Sequence, residues 1–277
     1  MINTLFCGNY KVFDGILSCI ISILKRTETK EPFHFYLFTM DVHHLREDYT
    51  PITEKQVDFL QKVVKSYNSE NLVTKIDVTD FYNKEFANSP NEQCYCSPYT
   101  LLRLLADLVP EIPEKVLYLD ADLLFNKDIT KLYNIDIEKY EYAAAPDHYG
   151  KLVLFWQKKF INAGVILFNM KKCKETGLFK KSRNEIRMHK LTFADESAII
   201  RSTTYQLKIS QRFNDQKFLY KGTVIRHFSK RLFWLPYPHT ENIKQWNYTK
   251  MLAKFKYLCF EDVLSEYLYY KGKFERE

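Results

Sequence analysis

Glycine is scarce in this chain, seven residues in 277, and that scarcity excludes whole classes of protein. No two glycines lie two positions apart, so the G-x-G-x-x-G fingerprint of a dinucleotide site is absent, and no G-K-S/T exists for a P-loop. The six cysteines, Cys7, Cys19, Cys94, Cys96, Cys173 and Cys259, form no C-x-x-C pair, which removes a zinc ribbon. Cys94 and Cys96 are too close for an easy disulfide. Long apolar runs are missing too: the longest, Gly15 to Leu24, falls far short of the ~20 residues that span a bilayer. The opening M-I-N-T-L-F-C-G-N-Y has no charged segment followed by an apolar one, so no signal peptide is expected. The reading is a reduced, cytosolic protein.

Aromatics and charge are plentiful. The chain holds 20 Tyr and 21 Phe, and its 46% hydrophobic and 27% charged residues are ordinary for a globular protein. The net charge of +7 is uneven: residues 1–140 carry 15 Lys+Arg against 21 Asp+Glu, and residues 141–277 carry 26 against 13. A basic second half points to an anionic partner, such as phosphate groups or a membrane surface. Nucleic acid is disfavoured, because no recognised motif is present and the acidic half opposes a broad footprint.

Strand and helix signals alternate along the first two-thirds of the chain. Strands are expected at 2–7, 33–39, 72–78, 116–119 and 161–168, and helices at 15–26, after the capping box Thr53-x-x-Gln56, and at 97–108. That alternation predicts an α/β sandwich around a mostly parallel sheet. Beyond about residue 210 the pattern turns irregular. The organisation expected is one domain over 1–247 and a helical, basic and aromatic extension over 248–277.

The stretch V-L-Y-L-D-A-D (116–122) places two carboxylates one residue apart at the end of an apolar run. In an extended chain Asp120 and Asp122 project to the same side. The carboxyl end of a strand is where open α/β sheets build ligand sites. Two such carboxylates repel, and desolvation worsens the cost; a divalent cation with hard oxygen ligands relieves both. A strand-end turn with two solvated aspartates is the competing reading. His227, ending the run V-I-R-H-F, adds a nitrogen that suits Mn²⁺ more than Mg²⁺. In F-I-N-A-G-V (160–165), Asn162, Ala163 and Gly164 allow a ligand close to the backbone.

Taken together, G-N-Y (8–10), Y-T-L-L-R (99–103), K-V-L-Y-L-D-A-D (115–122), F-I-N-A-G-V (160–165), A-D-E-S (194–197), R-F-N (212–214), R-H-F (226–228) and I-K-Q-W-N-Y-T (243–249) resemble glycosyltransferase family 8. That family comprises retaining enzymes that include glycogenin and bacterial lipooligosaccharide galactosyltransferases. The resemblance runs from residue 3 to about 250. It implies a GT-A fold, a Rossmann-like domain that binds a nucleotide-sugar, usually UDP-linked, with Mn²⁺ or alternatively Mg²⁺.

On that resemblance Asp120, Asp122 and His227 hold the metal, and Asn9 and Tyr10 line the nucleoside pocket, with Tyr10 stacking on the base. Arg103, Asp120, Asn162, Ala163, Gly164 and Asp195 face the donor sugar, and Lys244 reaches the diphosphate. Three departures stand out. Cys7-Gly8 replaces the acidic residues usual before Asn9. A basic, aromatic segment (229–243) is inserted after His227, so Lys230 or Arg231 could replace Lys244. Glu196 stands where relatives often have Gln, either as a nucleophile or as a group orienting the sugar, the latter with front-face attack.

The partners implied are a UDP-sugar and a saccharide, glycan or glycolipid acceptor. The stretch Y-T-K-M-L-A-K-F-K-Y-L-C-F (248–260) leaves two readings open: a helix packed on the domain, or peripheral contact with anionic lipid on the inner face of a membrane. Two other classes fit the residues less well. A phosphotransferase with Asp120 as nucleophile fits poorly, because Leu124 stands where such enzymes usually have Thr or Val. A sugar-nucleotide binder without turnover is opposed by the intact Asp120, Asp122 and His227 set.

Overall fold

The computed structural model describes residues 1–92, 97–148 and 160–277. Cys94 and Cys96 lie outside the described residues. The expected alternation is present. Strand β1 (Ile2–Cys7) leads through a short 3₁₀ turn into α1 (Phe13–Arg26); β2 (Phe33–Thr39), α2 (Glu54–Tyr67), β3 (Leu72–Asp77) and α3 (Thr79–Phe86) follow. The capping box at α2 is complete: the Thr53 hydroxyl accepts from the Gln56 amide, and the Gln56 side chain accepts from the Thr53 amide.

The main sheet has seven strands in the order β3-β2-β1-β4-β7-β6-β8, where β4 is Lys115–Leu119, β6 is Tyr142–Ala144, β7 is Val165–Asn169 and β8 is Gln206–Lys208. Strands β3, β2, β1 and β4 pair in parallel, while β7 runs antiparallel to both β4 and β6. The central strands read as continuous apolar runs because both faces are covered. Along β4, Leu117 and Leu119 join a core with α1 and α2, while Val116 and Tyr118 join a second core with the helices Leu178–Met188 and Ala194–Ser202.

The helix expected over 97–108 is present, as a 3₁₀-helix over Pro98–Leu108. One sequence expectation is corrected. The expected strand 161–168 begins only at Val165, and Asn162, Ala163 and Gly164 sit in the turn before it. Because β7 is antiparallel to β4, its entrance lies at the exit of β4, with the Asp120 amide donating to the Gly164 carbonyl at 2.8 Å. The small ladders β5 (Leu123–Phe125) with β9 (Ile225–His227), and β10 (Arg231–Phe233) with β11 (His239–Glu241), complete the strands among the described residues.

The C-terminal helix Glu261–Phe274 buries Val263, Leu264 and Tyr267 in the core that holds α1, and the Phe274 ring lies 4.5 Å from that of Phe13. Each such side chain withdrawn from water stabilises the fold by about 1.5–3 kcal/mol. The helix is also clamped by Arg26 to Asp262 and Lys25 to Glu266. Among the described residues no helix is long and apolar enough to cross a membrane.

Candidate active site

Asp120 and Asp122 do converge, but through a turn between β4 and β5 rather than through the pleat of one strand. Leu123 pairs with His227 across the β5–β9 ladder, which brings the imidazole to the turn. Ligand atoms of Asp120, Asp122 and His227 all lie within 4.8 Å of one another. His227 Nε2 is 3.1 Å from Asp122 Oδ1 and 3.9 Å from Asp120 Oδ2.

Neighbouring side chains fix each of these three groups. His227 Nδ1 meets Asn214 Oδ1 at 2.8 Å, which turns Nε2 toward the carboxylates. Asn214 in turn donates to Asn162 Oδ1 at 2.8 Å, and Asn162 donates to Asp147. The Tyr118 hydroxyl donates to Asp120 Oδ1 at 2.6 Å, and Arg103 reaches the same oxygen at 3.1 Å, leaving Oδ2 as the oxygen that faces His227. Lys244 donates to Asp122 Oδ2 and, at 3.1 Å, to the Phe228 carbonyl. Burial alone pushes the Asp122 carboxyl up, but Lys244 and His227 outweigh it and hold it well below the usual range.

Two glycines are required by packing at this site. A Cβ on Gly164 would lie 2.8 Å from Asp120 Oδ2 and would strike the His227 ring. A Cβ on Gly15 would lie 2.6 Å from the Ala121 carbonyl, so that glycine lets α1 press against the turn. Gln245, fully buried, donates to the same carbonyl at 2.8 Å.

Arg103 joins three separate stretches. Its guanidinium donates to the Ala163 carbonyl, to Asp120 and to the Thr100 carbonyl, and lies 3.3 Å from Asp195. Burial lowers its pKa, yet Asp195 and Asp120 more than offset that and keep it charged. Burial pushes the Asp195 carboxyl up, with Arg103 countering part of the rise. Glu196 Oε2 accepts from the Ala163 amide at 3.4 Å; burial and the negative charges of Asp147 and Asp195 push this carboxyl well up.

These groups border a cavity of about 240 Å³ whose lining includes Cys7, Gly8, Asn9, Arg103, Asp120, Asp122, Lys244 and Trp246. Of the residues expected from sequence, Asn9, Arg103, Asp120, Asp122 and Lys244 line it. Asn162, Ala163, Gly164, Asp195, Glu196 and His227 adjoin it through the contacts above. Tyr10 and Lys230 are not among its lining residues. Tyr10 lies in the 3₁₀ turn and accepts a bond from Gln56 at its carbonyl, and Lys230 is exposed ahead of β10. The Asn9 side chain is engaged by the protein itself, accepting from the Lys11 amide and donating to the Asp48 carbonyl. Sequence reading missed Tyr118, Asn214, Asp147 and Trp246 as site residues. Tyr118 carried a signal, since it stands two positions before Asp120.

The chain belongs to glycosyl transferase family 8, whose profile matches residues 3–200. Its fold is GT-A. It is 26% identical over 224 residues to a Haemophilus influenzae protein whose name assigns it provisionally to the glycosyltransferases, covering 76% of this chain and 62% of that one. It is 28% identical over 166 residues to the glycosyltransferase GlyA of Streptococcus pneumoniae, 58% of this chain but 20% of GlyA. The chain thus spans less than two-thirds of these relatives. Among solved structures, an active-site mutant of LgtC superposes with a TM-score of 0.67 at 17% identity, covering 98% of this chain and 96% of that one. The galactosyltransferase LgtC in complex with donor and acceptor sugar analogues gives 0.62 at 18% identity, covering 82% and 86%.

Proposed function

We propose that the protein is a metal-dependent, retaining hexosyltransferase that moves glucose or galactose from a UDP-sugar to a saccharide, glycan or glycolipid acceptor. The setting proposed is bacterial cell-surface polysaccharide or lipopolysaccharide assembly. The observation that carries this reading is the convergence of Asp120, Asp122 and His227 within 4.8 Å beside a cavity bordered by Lys244. Two carboxylates and one oriented imidazole nitrogen are a donor set that fits Mn²⁺, and Lys244 supplies a cation where their negative charge is in excess. When bound, the metal acts as a Lewis acid on the diphosphate leaving group.

The protein's own groups do the rest. Lys244 turns from Asp122 toward the phosphates as a point charge, and its position at the cavity favours it over Lys230 or Arg231 for this role. Arg103 holds the Ala163 carbonyl, Asp120 and Asp195 in one frame against the sugar. Glu196, which accepts from the Ala163 amide beside the Arg103 frame, is placed to orient the sugar by a hydrogen bond, the role we favour together with front-face attack.

Thermal stability against a panel of UDP-sugars, with and without Mn²⁺, tests this reading. A donor at a hundred times its Kd adds about 2.7 kcal/mol. Stabilisation by one UDP-sugar only with Mn²⁺ is expected; no response to any of them overturns it. Glu196→Gln separates the two roles of that residue, since near-normal turnover rules out a covalent intermediate on it.

A further inference from the structure

The segment inserted after His227 folds into the β10–β11 hairpin, an excursion pinched at its neck by the bond from Lys244 Nζ to the Phe228 carbonyl, 16 positions apart. Its root is firmly held. The Phe233 ring stacks on those of His239 and Phe255, with centroids 5.7 and 6.4 Å away, and Lys254 lies 4.2 Å above it. Glu241 pairs with Lys254 and Lys250 of the helix Tyr248–Phe255. The Arg231 guanidinium sits 5.5 Å from the Phe218 ring, which sets the 217–221 loop on the hairpin's flank.

The tip has the opposite character. Trp234, Leu235 and Tyr237 are 70%, 82% and 66% exposed, and Phe218 and Tyr220 beside the root add 38% and 61%. Pro236 and Pro238, also exposed, lack amide protons, which lowers the cost of placing this backbone in a medium poor in water. From Lys217 to Leu258 the chain holds nine Lys and Arg against one carboxylate, Glu241, which is already paired; of the nine, Arg226 is buried and Lys244 is held by Asp122, leaving seven around the hairpin. A saccharide is recognised by flat rings in a concavity with polar partners; here the most exposed of these side chains is Leu235, between β10 and β11.

We propose that this hairpin is a membrane-docking wedge whose tip enters the interface of an anionic bilayer while the flanking lysines meet headgroup phosphates. The reading is independent of the UDP-sugar assignment.

The test is sedimentation of the full chain with phosphatidylcholine vesicles, with and without phosphatidylglycerol, across a salt series. Binding only to the anionic vesicles, weakening as salt rises, is expected. The variant Trp234→Ser/Leu235→Ser/Tyr237→Ser should lose about tenfold or more of that binding, because the apolar part of interfacial affinity scales with inserted area. Its melting temperature and its response to UDP-sugar with Mn²⁺, read on the same samples, should match the parent, which separates this proposal from the donor reading. Absent vesicle binding by the parent, or equal binding by the variant, overturns the wedge. So does an unchanged vesicle affinity with weakened binding of a saccharide acceptor, which would make the tip an acceptor platform.

Discussion

The turn around Asp120 and the β10–β11 hairpin, which follows His227 in the chain, are built on opposite rules. At the turn every charged group is met by another within the protein: Asp120 by Arg103 and Tyr118, Asp122 by Lys244 and His227, Asp195 by Arg103. At the hairpin tip, large apolar groups stand mostly in solvent, with Tyr237 resting only on the His239 ring 5.3 Å away. A paired and buried cluster tolerates little change, because removing one partner strands the other in low dielectric. An exposed tip can change freely without cost to the fold. The contrast separates where this molecule stores its chemistry from where it meets its surroundings.

The largest break in that contrast is expected from Asp122→Ala. Loss of one carboxylate of the cluster should remove Mn²⁺-dependent donor binding and lower kcat/KM on the order of 10³-fold, about 4 kcal/mol. Isothermal titration of donor with and without Mn²⁺ checks it, and unchanged metal-dependent affinity contradicts the ligand assignment. Gly164→Ala should cost about 10²-fold in donor affinity by driving the His227 ring from Asp120. Circular dichroism should show its fold retained, and normal affinity would mean that the turn yields where the packing shows no room.

On the other side, the triple tip variant should shift unfolding free energy by no more than about 0.5 kcal/mol. A denaturant titration that shows a larger loss would mean that the tip packs on something after all. The smallest effect concerns Glu196. Its folded-state pKa is raised, so the native state holds this proton more tightly than the unfolded chain. The stability it contributes is therefore full below its unfolded value and is lost as pH rises through the folded value. Glu196→Gln should flatten the fall in melting temperature from about pH 5 upward. Asp195, shifted the same way, should leave a residual slope.

Much of this was legible in the chain, for reasons that differ by residue. Asp120, Asp122 and His227 were identifiable because like charges ending an apolar run, and an imidazole ending another, need a reason. The direction of β7 was hidden, since a strand buried on both faces reads as apolar whichever way it runs. The 3₁₀ geometry of Pro98–Leu108 was hidden as well, because eleven residues dense in leucine satisfy either period. Asn214 was invisible as a positioning residue. The stretch R-F-N (212–214) took part in the family resemblance, but the amide's partner was not written there until the ladder β5–β9 set His227 beside it.

The position of Arg103 has a consequence for the genetics of this protein. One side chain ties residues 60 and 17 positions away, at Ala163 and Asp120, and a third stretch at Asp195. Substitutions at these places share a single partner, so their effects should not add. In an Arg103→Lys background, further changes at Asp120 or Asp195 should cost less than they do alone, a coupling of about 0.5–3 kcal/mol in a double-mutant cycle. Changes at Trp234, which shares no partner with Arg103, should combine with the same background as a simple sum.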